Sequence, residues 1–271
     1  SLMACKEEGI KEVFATLWGE NGTETNQITA LLGLQLYAEH GYAKELDMEK
    51  LRRRFEFCTG AKFDAFFDLG RFDEVFQDEE FKTIESNPSK YILWQDILLG
   101  MFDKEVERFD FVDYYKKLHS RLLVHYKENE QWKYVFEFPC ILAEVLSIKS
   151  HLGIEIKKLY DKKDKCALDA ISKGKLTELK EKAAKLREAH RRQWFHYNKP
   201  FGWEILDIRY GGLIARIEST IVRLQEYTSG SVDKIEELDE EKLNYRSPKS
   251  TQRIGQCNNY GRIVSTSPIN S

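Results

Sequence analysis

Apolar residues recur at three- and four-residue steps along most of this chain, a pattern that predicts a protein built mainly of helices. The stripe Ile28, Leu31, Leu32, Leu34, Gln35 and Ala38 predicts a helix over about residues 25–39, ended by His40-Gly41. Asp47 is placed to cap a second helix running through Leu51, Phe55 and Cys58 to Thr59-Gly60. From Phe63 to Phe81 phenylalanines and acids alternate without a sustained period, and Asn87-Pro88-Ser89 reads as a turn. That stretch predicts a connection with one or two short helices, in which Trp94-Gln95-Asp96 is a packed linker aromatic in preference to a pocket wall.

Longer helices follow. Val112, Tyr115, Leu118, Leu122 and His125 trace one over about residues 110–127. Pro139 fits the first turn of the next, where a missing N–H costs nothing, and Leu142, Val145, Leu146, Leu152, Ile156 and Leu159 carry it through Tyr160. Beyond Lys173-Gly174-Lys175, a seam of Leu176, Leu179, Ala183, Leu186 and His190 ends at Asn198-Lys199-Pro200-Phe201-Gly202-Trp203. Gly211-Gly212 reads as the opening of the last long helix, with Leu213, Ile214, Ile217, Ile221 and Leu224 on one side and Tyr227-Thr228-Ser229-Gly230 at its end. A small acidic helix is expected around residues 233–243, and the polar stretch 244–271 is expected to dock on the body or be disordered.

One stretch departs from the helical period. Gly9 suits the end of a short leading helix, and Val13, Phe14, Ala15 and Leu17 then form a nearly continuous apolar run closed by Trp18. Such a run reads as a strand covered on both faces, as parallel strands are. Behind it stand Gly19, Glu20, Asn21, Gly22, Thr23 and Glu24, at the carboxyl end of the strand, where parallel sheets hold ligands. The local alternative is a buried Trp18 followed by a solvated turn. A single parallel strand cannot satisfy its own backbone groups, so the chain reads as beginning inside a larger β/α fold.

Composition narrows the partners. The 271 residues are 42% hydrophobic, 32% charged and 13% aromatic, enough for a sizeable core. A net charge of -3 offers no whole-chain attraction to phosphate backbones or anionic lipid, so neither nucleic acid nor membrane is expected. No apolar run approaches the roughly 20 residues that span a bilayer. The five cysteines are widely spaced with no C-x-x-C pair, which suits thiols in a reducing cytoplasm. The basic residues between Lys173 and Arg192 are interspersed with Glu178, Glu181 and Glu188, the pattern of a solvated face with i,i+4 pairs.

The six histidines show no metal-binding spacing, and no phosphate loop, dinucleotide fingerprint or nucleophile elbow is present, so no metal or cofactor is expected. The acid clusters Glu7-Glu8, Asp78-Glu79-Glu80 and Asp239-Glu240-Glu241 lie in polar settings unlike that of a tuned general acid. What remains is the loop at Trp18. A flat indole suits the apolar face of a pyranose, and a carboxylate two residues on can accept hydrogen bonds from sugar hydroxyls.

The run from Gly9 to Glu24, with Leu31-Leu32-Gly33-Leu34-Gln35-Leu36-Tyr37-Ala38-Glu39-His40, resembles the end of the catalytic barrel of glycoside hydrolase family 20 β-N-acetylhexosaminidases. Asn198-Lys199-Pro200-Phe201-Gly202-Trp203-Glu204 and Arg209-Tyr210-Gly211-Gly212-Leu213-Ile214-Ala215-Arg216 resemble the helical C-terminal domain of one bacterial branch of that family. The resemblance implies a mainly α fold: a helical bundle-like domain preceded by the last β/α unit of a (β/α)8 barrel. It implies a barrel end over residues 1–45, a helical domain over 46–243 and a tail over 244–271. It also implies substrate-assisted retaining hydrolysis of terminal N-acetylhexosamine by an Asp-Glu pair on an earlier barrel strand, so no catalytic residue is expected in this chain. Trp18 would wall the sugar pocket, Glu20 would bind outer hydroxyls, and Asn21, where relatives often carry Asp, would assist. The implied partners are an N-acetylhexosamine-terminated glycan, bound with the barrel, and a second copy in a homodimer. A self-standing helical protein-interaction module is the alternative.

Overall fold

The computed structural model describes residues 2–17, 24, 26–75 and 88–244. Among these the regular structure is helical and no strand occurs. The centre is an antiparallel pair, α7 (Phe111–Glu128) and α8 (Lys133–Lys149), joined by a single 3-10 turn at Glu130–Trp132. Asp110 caps α7, its carboxylate accepting the Asp113 N–H at 3.0 Å. Against α8 packs α11 (Lys175–Tyr197), and against α11 packs α12 (Trp203–Ser229), with α9 (Leu152–Asp161) and α10 (Lys165–Lys173) completing that side. The other side is covered by α3 (Met48–Thr59) and α4 (Phe63–Leu69), on which α2 (Leu31–Tyr42) lies. Three short helices complete the set: α1 (Leu2–Glu7), α5 (Pro88–Trp94) and α6 (Asp103–Val106). A last turn, α13 (Glu236–Asp239), docks through Ile235 and Leu238, both fully buried.

Several helix boundaries follow the expected signals. Asp47 caps α3 by accepting the Lys50 N–H at 3.0 Å, and Gly60, at φ +66°, ends it. Others do not. The second helix begins as a 3-10 turn at Gln27–Ala30 and passes through His40-Gly41 to Tyr42. Pro139 is the seventh residue of α8, not in its first turn. A proline there forfeits one helical hydrogen bond, but α8 is buried on most of its circumference and packing outweighs that loss. The helix expected to continue to Tyr160 breaks at Ser150-His151, and just beyond the break Gly153 passes the Ile97 carbonyl so closely that a Cβ would come within 2.6 Å of it. Gly211-Gly212 lie inside α12, whose buried seam Trp203, Leu206, Tyr210, Leu213, Ile217, Thr220, Leu224 and Tyr227 runs through them unbroken. The helix starts instead after Gly202, whose φ of +95° and tight approach to the Trp194 ring both require glycine.

The basic residues of α11 pair across helices, not within their own: Lys175 with Glu155, Lys180 with Glu218, Lys182 with Glu144, Arg187 with Asp207 and Arg192 with Glu137. The expected i,i+4 face is thus replaced by tethers to three neighbouring helices, α8, α9 and α12.

A polar knot is enclosed where α5 ends. The fully buried Lys149 donates to the Ile92 and Gln95 carbonyls at 2.7 and 2.6 Å, closing the C-terminus of α5. Asp96 accepts the Leu98 and Leu99 N–H groups and pairs with Arg216 of α12. Trp94-Gln95-Asp96 is therefore core and not a linker. Burial pushes Lys149 down to about 7, with Asp96 and Asp103 pulling the other way. Burial pushes Asp103 up to about 6, opposed by Lys242 and Lys149. Between about pH 7 and the ordinary lysine value the unfolded chain holds a proton that the fold does not, so stability rises with pH there. Urea unfolding across that window is expected to show this rise, and Lys149→Met to flatten it; an unchanged slope in the variant would assign the rise elsewhere.

Candidate functional site

The strand-like run is not a strand. Residues 10–17 adopt no regular structure, and Val13, Phe14 and Leu17 are exposed, Phe14 at 88%. The physical reason is that among the described residues no neighbouring strand is present to take their backbone groups. Trp18, Glu20 and Asn21, the expected sugar-binding residues, lie outside the described residues.

Glu24, the last residue of that loop, is described and is only 8% exposed. One carboxylate oxygen accepts the indole Nε1–H of Trp94 at 2.9 Å, and the other faces the Lys90 ammonium at 3.1 Å, both from α5. Its carbonyl accepts Gln193 Nε2 from α11 at 3.2 Å. Trp94 is itself clamped, with the Tyr210 ring of α12 at 5.0 Å and the Arg209 guanidinium 5.3 Å above it. Two residues on, Asn26 caps the 3-10 turn by accepting the Ile28 N–H at 2.9 Å, while its Nδ2 is buried with no partner. Thr16, Leu17, Glu24, Asn26 and Lys90 join Leu32, Leu36, Phe66, Leu93 and Phe138 around a cavity of about 960 Å³.

The histidines are dispersed over the fold and only His190 is fully buried. His190 meets the Tyr210 hydroxyl at 3.1 Å, His125 the Asp68 carboxylate at 2.9 Å and His119 the Cys140 carbonyl at 2.9 Å. Among the described residues no group of three or more His, Cys, Asp or Glu could hold a metal. Burial pushes the Cys140 thiol up to about 11, so it is no nucleophile at neutral pH. Among the described residues no helix is long and apolar enough to cross a membrane.

A family model for the glycoside hydrolase 20C C-terminal domain matches residues 64–257. The chain belongs to that family. The match runs from α4 past the end of the described residues, so it takes in the whole polar knot, Trp94 and the α11–α12 pair. No curated protein matches the chain. The resemblance to the C-terminal portion of family 20 hexosaminidases thereby stands, the motifs at 198–204 and 209–216 falling inside this span and the run at 9–40 before it, and with it the helical C-terminal fold.

The loop's anchor in the 20C domain was not visible in the sequence: Glu24 and Trp94 are 70 residues apart and share no motif. The available signal was a tryptophan at the end of a short apolar run, which needs an acceptor for its N–H when buried. Glu24→Ala would leave that N–H and the Lys90 ammonium facing an apolar methyl. It is expected to lower the unfolding free energy by about 2–4 kcal/mol in urea titration, whereas Glu8→Ala on the exposed end of α1 stays within about 0.5 kcal/mol.

Proposed function

We propose that this chain works as part of a β-N-acetylhexosaminidase, joined to a catalytic (β/α)8 barrel of which residues 1–45 form the last β/α unit. The observation that carries the reading is the exposed apolar run at Val13, Phe14 and Leu17, with strand composition and no strand beside it among the described residues, next to a loop whose far end is fastened to the helical domain. Adjacent parallel strands would take up the backbone groups, and the barrel interior and outer helices would cover those side chains. The loop would then stand at the carboxyl end of the strand, with the Trp18 indole against the apolar face of a terminal N-acetylhexosamine, Glu20 accepting from its outer hydroxyls and Asn21 beside them. Acid catalysis and orientation of the acetamido group would fall to an Asp-Glu pair on the barrel, leaving this chain without a catalytic residue.

The helical domain would also pair two copies. α12 presents a second seam on the side away from its buried one, Ile205, Ile208, Gly212, Ala215, Ser219 and Val222, at heptad spacing. Ile208 is 76% exposed, and nothing lies within 4 Å of a Cβ built on Gly211 or Gly212, so another helix could approach closely. The outer face of a bundle is where a protein partner of any kind would dock. A self-standing interaction module is therefore the second reading, in which this seam is the whole function.

Two measurements test these readings. The 271-residue chain alone is expected to leave a chromogenic N-acetylglucosaminide intact, and the same chain joined to the barrel encoded upstream in its reading frame is expected to cleave it. Turnover by the chain alone that survives Trp18→Ala, or an upstream frame with no barrel, would overturn the first reading. Sedimentation should give a dimer that Ile208→Glu converts to monomer; a monomer before substitution removes the pairing role.

A further inference from the structure

The cavity bordered by Asn26 has the make-up of a ligand site. Its volume, about 960 Å³, is that of pockets that take small organic molecules. Among the described residues around it, one wall comes from the N-terminal segment and α2, and the other from α3, α4, α5 and α8. Most of the lining is aliphatic or aromatic, with Leu32 and Leu36 on the first wall and Phe66 and Phe138 on the second. Such walls do not supply the several hydrogen bonds that hold a buried water, so an apolar occupant is favoured over most of the space. Asn26 is the exception. It is 8% exposed and its Oδ1 accepts the Ile28 N–H at 2.9 Å, which fixes the orientation of the amide and leaves Nδ2 a buried donor with no acceptor on the protein. A buried donor in that position costs free energy that an acceptor on a ligand restores. Charge narrows the occupant further. Among the described residues three carboxylates, Glu24, Asp73 and Glu74, border the cavity with one ammonium, Lys90, which is paired to Glu24, so an anionic ligand would meet an excess of negative charge.

We propose that this cavity is a binding site for an uncharged, mainly apolar molecule that carries a carbonyl oxygen, set as an acceptor against Asn26 Nδ2. The site makes no use of Trp18, Glu20 or Asn21 and does not depend on the enzyme reading. Its two walls belong to the segment before α3 and to the helical bundle, so an occupant bridges them, and binding adds to the stability of their contact.

The probe is prodan, a neutral naphthyl ketone whose emission moves to the blue in apolar surroundings. One molecule is expected to bind per 271-residue chain with a micromolar Kd, and acetylnaphthalene to displace it. Naphthoate, the same ring system with a carboxylate in place of the acetyl group, is expected to displace it at least about tenfold less well. Asn26→Asp keeps an oxygen for the Ile28 N–H and takes away the donor. It is expected to weaken acetylnaphthalene about tenfold and to leave isopropylnaphthalene, which has no acceptor, within about twofold. Leu36→Trp fills the cavity from the α2 wall and is expected to abolish binding of all the neutral ligands while the helical circular-dichroism spectrum is kept. The proposal is overturned by a prodan emission that stays unshifted, by naphthoate binding as tightly as the ketone, by equal losses of the two neutral ligands in Asn26→Asp, or by binding that survives Leu36→Trp. Should Leu36→Trp fail to fold, the matched pair of neutral ligands measured against Asn26→Asp decides alone.

Discussion

An indole N–H taken out of water must find an acceptor, and Trp94 finds one 70 residues back along the chain at Glu24. Much of the arrangement follows from meeting that requirement. To bury Trp94 the short α5 must end beneath it, and its terminal carbonyls are then closed by Lys149 reaching across from α8. The turn that follows α5 is folded by Asp96, which ties it to Arg216 in the middle of α12. One tryptophan thus brings together the N-terminal segment, α5, α8, α11 and α12. The charges that meet there are tolerated because each is paired, accepts backbone N–H groups or, in Lys149, donates to backbone carbonyls.

The division of labour is between periphery and centre. Around the outside, the basic residues of α11 pair with acids on its neighbours, at surface sites where each pair adds about 0–1 kcal/mol. At the centre, a smaller number of enclosed polar groups decides which helix faces which. The 20C domain therefore offers a firm platform on one side, while the run at residues 10–17 and the outer face of α12 leave large apolar side chains in solvent. Exposed apolar surface of that extent is a feature of interfaces, and the two surfaces lie on different elements.

Most of the helices were legible because their signals are local. Asp47 and Asp110 cap their helices, Gly60 and Gly230 terminate with positive φ, the α11 stripe is buried throughout, and of the α7 stripe Tyr115, Leu118 and Leu122 are buried. Where the reading missed, tertiary packing had overruled a local preference. Pro139 and Gly211-Gly212 are helix breakers in isolation, but each lies in a helix whose buried seam continues on both sides. The glycine beyond the break at Ser150-His151 packs on the Ile97 carbonyl, a contact that no nearby residue announces. Of the site, the sequence carried the chemistry of Trp18 and the family motifs but not the anchor, since a hydrogen bond between Glu24 and Trp94 leaves no spacing to read.

The central claim is that the run before Trp18 is a strand awaiting its sheet, fastened at its far end by the helical domain. Amide hydrogen exchange at Val13 to Leu17 tests it most directly, measured in the chain alone and in the chain joined to its barrel. The account predicts exchange near the unprotected rate in the isolated chain, and slowing by about a hundredfold or more in the joined protein. Protection already present in the isolated chain, or rapid exchange that persists beside the barrel, would contradict it.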